Sequence, residues 1–135
     1  MSKTFQLEVV APDKVVYRGM VKSISAAGTE GSFGVLAGHA PFITELQTNI
    51  LTVVDAENKT LRFALDGGFL EVIANKAILL ADCSVKEGEV DVEKARLEKA
   101  EAEKAVLQGG SAAEKEKARA SLKRADTWLK LANVH

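Results

Sequence analysis

The apolar residues of this chain keep two different periods, and the change between them, near Lys86, limits the fold more than any single motif. Ahead of Lys86 they recur at every second position. Phe5, Leu7 and Val9 share one face while Gln6 and Glu8 take the other, and Leu61, Phe63 and Leu65 alternate with Thr60, Arg62 and Ala64. A period of two belongs to strands with one buried side. The runs are short and separated by turn-forming sequence: Pro12-Asp13, Gly28-Thr29-Glu30-Gly31, Ala37-Gly38, Glu57-Asn58 and Asp66-Gly67-Gly68. This spacing predicts roughly eight to ten strands in an antiparallel sandwich or barrel. The run Ala77-Ile78-Leu79-Leu80-Ala81 has no polar position and is expected to be a strand buried on both faces. Every aromatic residue except Trp128 lies in this half, so the main core belongs there too.

After Lys86 glycine is confined to Gly88, Gly109 and Gly110, and Ala, Glu, Lys and Leu dominate. These are strong helix formers. Asp91 is placed to cap a helix running to about Gln108, and Gly109-Gly110 supplies a left-handed stop. Ser111-Ala112-Ala113-Glu114 has the form of a capping box opening a second helix, which runs to about Ala132. Ala118, Leu122, Ala125, Leu129 and Ala132 fall on one stripe of that helix. On the first helix Val92, Ala95, Ala102 and Val106 do the same, with Lys99 interrupting. Two stripes and a tight link predict an antiparallel helical hairpin. Its alanine seam lets the helices approach closely but buries little surface, at about 0.8 kcal/mol per buried methylene-sized group. The expected organisation is therefore a sandwich domain over residues 1–86 and a two-helix domain over 87–135.

Several function classes find no support. Net charge is −1 over 135 residues, so no global field favours nucleic acid or an anionic membrane surface. The single cysteine, Cys83, has no internal partner for a disulfide. The first residues carry neither an apolar leader nor an Arg/Ser-rich one, and no stretch approaches the roughly 20 apolar residues that cross a bilayer. There is no phosphate-binding loop, and Gly67-Gly68 lacks the third glycine of a dinucleotide fingerprint, so the pair is expected to make a hairpin turn. His39, His135 and Cys83 have no metal-site spacing. His39 is also the sole internal base for a Ser or Cys nucleophile, and a glycine-rich turn before Pro41 suits a loop or interface residue better. On the second helix Lys115, Lys117, Arg119, Lys123, Arg124 and Lys130 outnumber Glu114, Glu116 and Asp126. That excess fits a solvated helical face, or a basic strip that meets an acidic partner. Trp128 fits either packing or a partner anchor.

Two segments carry a resemblance. Glu30-Gly31-Ser32-Phe33-Gly34-Val35-Leu36-Ala37-Gly38-His39-Ala40-Pro41 and Gly67-Gly68-Phe69-Leu70-Glu71-Val72, behind Val9-Val10-Ala11-Pro12, closely resemble the signatures of the epsilon subunit of F-type ATP synthases. The likeness covers essentially the whole chain. It implies a non-catalytic rotor part that helps couple ion translocation to ATP synthesis, with a sandwich of about ten strands. The implied partners are the gamma subunit, the polar loops of the membrane c-ring, and the alpha/beta catalytic head. The head is reached by a C-terminal hairpin that lies folded or extends, and that hinders hydrolysis when extended. The implied location is peripheral, at the cytoplasmic face of a bacterial plasma membrane or a thylakoid stromal face.

By the same resemblance Glu30, Gly31, Ser32 and His39 belong to the region facing the c-ring and gamma. Ser32 stands where many relatives carry an acid, which leaves a charged contact there without its carrier. Arg119, Lys123 and Arg124 match a basic helix that meets an acidic loop of the beta subunit, with Trp128 beside them. Some relatives bind ATP through an Ile/Leu-Asp-x-x-Arg-Ala motif. The match here is Val90-Asp91-Val92-Glu93-Lys94-Ala95, where Lys94 cannot reproduce an arginine fork. A further arginine expected downstream is Glu101, so no cofactor and weak or absent ATP binding are expected.

Overall fold

The computed structural model of the chain describes residues 3–28, 31–82 and 84–133. Glu30, Cys83 and His135, singled out above, lie outside the described residues. The chain forms two compact units, Met1–Lys86 and Glu87–His135.

Nine strands build the first unit among the described residues: β1 (Phe5–Ala11), β2 (Lys14–Gly28), β3 (Gly31–Leu36), β4 (Phe42–Leu46), β5 (Asn49–Asp55), β6 (Thr60–Leu65), β7 (Gly68–Ile73), β8 (Lys76–Ala81) and β9 (Ser84–Lys86). The ladder runs β1-β8-β7-β4-β2-β5-β6-β9, with β3 also on β2 and β1 closing back onto β2. The long β2 serves both layers. Its first half pairs with β1 and its second half with β5 and β3. All of these pairings are antiparallel except β1 with β8, which run parallel with Leu7 opposite Ala77. Parallel neighbours need a long connection, and here it spans everything from β2 to β7.

Alternation fills the core as the period requires. Phe5, Leu7 and Val9 are buried, and meet Val21, Ile24, Leu51, Val53, Phe63, Leu65, Leu70 and Leu79 between the layers. Each such side chain contributes about 1.5–3 kcal/mol on leaving water. Tight turns keep the register. Asp55 Oδ1 accepts from the amides of Glu57 and Lys59 at 2.8 and 2.9 Å. Between β7 and β8, Ala74 and Asn75 both take positive φ, and the Asn75 side chain donates to the Thr4 carbonyl at 3.0 Å.

Two expectations are corrected. Gly67-Gly68 is not a hairpin turn, because β6 pairs with β5 and β9 while β7 pairs with β4 and β8. The pair instead carries the chain between layers, and Gly68 sits so close to β8 that an added β-carbon would stand 2.0 Å from the Leu80 carbonyl oxygen. Nor is β8 buried on both faces. Ala77, Leu79 and Ala81 point inward while Leu80 is 54 % exposed. Within the sandwich only one side of β8 meets the opposite layer, so its period is two although its composition hides it.

The second unit is a helical hairpin: α1 (Val92–Leu107) and α2 (Ala112–Leu131), packed against each other. Asp91 caps α1 by accepting from the Lys94 amide at 3.1 Å, and Ser111 caps α2 by accepting from the Glu114 amide at 3.1 Å. Gly109 and Gly110 take φ of +80° and +122°, conformations that end α1 and reverse the chain. Ala95 and Ala102 on α1, and Ala118, Ala125 and Leu129 on α2, are buried along the predicted stripes. Leu131 is buried as well, off its helix's stripe.

Candidate functional site

The outer face of β4, β7, β8 and β1 carries several large apolar side chains exposed to solvent. Directly opposed residues share a face, so the registers Glu45–Phe69–Leu80–Val10 and Ile43–Glu71–Ile78–Glu8 lie side by side on it. Ile43 is 66 % exposed, Phe69 and Ile73 each 52 %, with Leu80 among them. Glu71 sits among them, opposite Ile43 and Ile78, while Glu45 and Glu8 stand at the ends of the two rows. Glu8 Oε1 lies 3.4 Å from both Arg18 and Lys76, tying β1 to β2 and β8. Exposed apolar side chains with carboxylates among them suit contact with another protein surface better than chemistry in a pocket. Its sequence signal was the apolar run of β8, which overall composition turned into an apparent core strand.

The residues expected to face partners flank β3, Gly31 and Ser32 at its start and His39 beyond its end. Gly31 and Ser32 open β3, both exposed, with Ser32 opposite Ala27. His39 is exposed after β3, its ring 4.8 Å from that of Phe42, while Phe42 makes an edge contact with Phe33 at 5.9 Å. His39 Nδ1 lies 2.7 Å from the Ala40 carbonyl oxygen. The histidine is thus held as part of an aromatic cluster, with no acid or nucleophile against it in these contacts. Leu36, 65 % exposed, adds an apolar side chain at the end of β3.

In the hairpin the basic residues divide. Arg119 and Lys123 are exposed and line a shallow groove of about 280 Å³ with Lys130 and Asp126. Arg124 turns instead over Trp128, its guanidinium carbon 5.3 Å from the ring, so these two half-buried residues pack on each other. A cleft of about 440 Å³ between the helices carries Glu98, Glu101 and Glu114 against Lys117 and Arg124. Asp91 is engaged as the cap of α1, Ala95 is buried in the seam, and Lys94 is exposed. Across the seam Lys99 Nζ meets Asp126 Oδ1 at 3.0 Å, and that hydrogen bond, with the carboxylate's charge, holds the ammonium pKa above the ordinary lysine range.

Among the described residues no group of three or more His, Cys, Asp or Glu side chains could hold a metal ion, and no helix is long and apolar enough to cross a membrane.

Comparison with known proteins gives the arrangement its context. Residues 4–87 match the family model "ATP synthase, Delta/Epsilon chain, beta-sandwich domain", and residues 89–133 match "ATP synthase, Delta/Epsilon chain, long alpha-helix domain". The ATP synthase epsilon chain of Moorella thermoacetica is 37 % identical over 131 residues, covering 97 % of this chain and 98 % of that one. That of Trichodesmium erythraeum is 38 % identical over 132 residues, covering 96 % of each. A chain in the cryo-EM structure of the Euglena gracilis mitochondrial ATP synthase (OSCP/F1/c-ring) superposes with a TM-score of 0.82 at 25 % identity, covering 96 % of this chain and 81 % of that one. A chain from the Tetrahymena thermophila mitochondrial ATP synthase shares the fold, with a TM-score of 0.69 at 18 % identity, covering 97 % of this chain and 98 % of that one. Both halves of the sequence, each with its own period, are accounted for by one family, and the chain belongs to the epsilon chains of F-type ATP synthases.

Proposed function

We propose that the chain is a non-catalytic subunit of the central stalk, clamped to the gamma subunit and the polar loops of the c-ring through its sandwich. The observation that carries this reading is the apolar outer face of β4, β7, β8 and β1, where Ile43, Phe69, Ile73 and Leu80 are left to water. Such a face gains stability when a partner covers it, at about 25 cal/mol per Å² of apolar surface. Gly31 and Ser32 at the start of β3, with His39 beyond its end, supply contacts to the c-ring and gamma. With Ser32 in place of an acid, those contacts are polar and aromatic rather than ionic. The complex sits at the cytoplasmic face of a bacterial plasma membrane, and this chain reaches the membrane only through its partners.

The hairpin acts as a brake on ATP hydrolysis, meeting the alpha/beta head with Arg119 and Lys123 on its exposed side and the Arg124–Trp128 pair behind them. Its seam is alanine-lined, so little apolar contact is lost when it moves. Deleting everything after Lys86 should leave assembly and coupling intact and raise ATP hydrolysis by the complex. Unchanged hydrolysis would remove the brake from the account, and failure of the chain to bind gamma at micromolar concentration would remove the whole of it.

ATP is not a ligand in this reading. The cleft between the helices sets three carboxylates against two cations, and a triphosphate would meet net repulsion there. Isothermal titration of the isolated chain with ATP should show no binding, and a submillimolar dissociation constant would favour a nucleotide-sensing module instead.

A further inference from the structure

Lys99 is the residue that breaks the apolar stripe of α1, flanked at helical spacing by Val92, Ala95, Ala102 and Val106. A lysine at such a seam position gives up apolar contact, and polar residues there serve to fix register and pairing. The structure supplies its counterpart. Lys99 reaches across to Asp126 at 3.0 Å, and Asp126 follows Ala125, a buried residue of the facing stripe.

Three further features make this contact matter. The buried stripe residues are Ala95, Ala102, Ala118 and Ala125 with Leu129 as the one large member, so closing the seam removes less apolar surface from water than a leucine-lined seam would. Each helix has its own side-chain cap, Asp91 or Ser111, so neither needs the other to hold its first turn. The link is two glycines in left-handed conformations, which can re-aim the second helix with little steric opposition. The neighbouring pair Arg96–Glu93 lies within α1 and is equally available whether the helices are together or apart. Lys99–Asp126 exists only when they are together.

We infer that the Lys99–Asp126 ion pair is a charge clasp that sets how often α1 and α2 part, and thereby how the hairpin is poised. The inference rests on the reading of the hairpin as a movable brake. The clasp is itself partly open to solvent, with the lysine side chain 39 % exposed, so its grip weakens with salt.

The test uses the full chain with Cys83→Ser and spin labels at Lys94→Cys and Lys130→Cys, both exposed and both far in sequence from the glycine link. Pulsed electron resonance reads the distance between the free ends of the helices. Lys99→Glu and Asp126→Lys should each raise the long-distance population about two- to five-fold, the range for an exposed pair. The reversed pair carrying both changes should return it to the parent distribution. Circular dichroism follows helix content, and the reversed pair decides the case if a single change frays a helix. Single variants that match the parent, or a reversed pair as open as either single, would overturn the clasp. ATP hydrolysis by the assembled complex is then read for the same variants. An open hairpin with unchanged hydrolysis leaves the clasp standing and removes the brake.

Discussion

Gly68 shows how one residue can be fixed by a backbone it does not follow in sequence. It holds φ +128° at the start of β7, where an added β-carbon would stand 2.0 Å from the Leu80 carbonyl oxygen and 2.9 Å from the Ala81 α-carbon. Both neighbours are backbone atoms of a central strand and cannot swing away. Gly68→Ala is expected to cost more than about 2 kcal/mol, since strain and a clash act together. Gly38 is the control. It also has positive φ, +79°, but open space around it, so Gly38→Ala should cost only about 1 kcal/mol. Urea midpoints of the two variants measure the difference. The sequence shows that a glycine pair is needed at 67–68, yet not why. A turn and a layer crossing ask for the same residue, and only the strand pairing separates them. His39 is a similar case, since its place on Phe42 depends on the turn that folds residues 37–41 back.

At the scale of elements, the caps and stripes of the helices are local and were legible. Asp91 and Ser111 act within three residues of themselves, and the stripe on α2 is a matter of spacing alone. Ser111→Ala should lower hairpin stability by about 1 kcal/mol, seen as lost helical signal on heating. Strands were less legible because a strand's partners are distant in sequence. The parallel register of β1 with β8, and the exposed Leu80 in an apolar run, both follow from which strand lies beside which.

The clasp was visible only as an interruption at Lys99, because its partner lies on another element. It also predicts a pH response of definite sign. Asp126 raises the Lys99 pKa by its hydrogen bond and then by its charge, against a smaller lowering by desolvation, and Glu103 adds the smallest increase. A folded-state pKa above the unfolded one gives stability that is complete at neutral pH and is lost as pH rises through the folded value. Closure of the hairpin should therefore be constant near neutrality and fall in the alkaline range. A Lys99→Gln variant should lack that step in the same distance measurement.

For the whole molecule, the two units differ in what holds them. The sandwich is held by a dense core of large side chains, from Phe5 to Leu79, and Phe63→Ala there should cost about 3–5 kcal/mol. The hairpin has an alanine-rich seam, two caps and the Lys99–Asp126 bridge across it. A firm body with an apolar outer face suits permanent attachment, while a thin-seamed body with basic residues outward suits movement. The most direct measurement is the affinity of the full chain for the gamma subunit, compared with a variant carrying Phe69→Lys and Leu80→Glu, an opposite-charge cross-strand pair. Both residues face outward from paired positions, so the variant should keep its melting temperature while binding gamma at least about tenfold more weakly. Unaltered affinity in a folded variant would contradict the account.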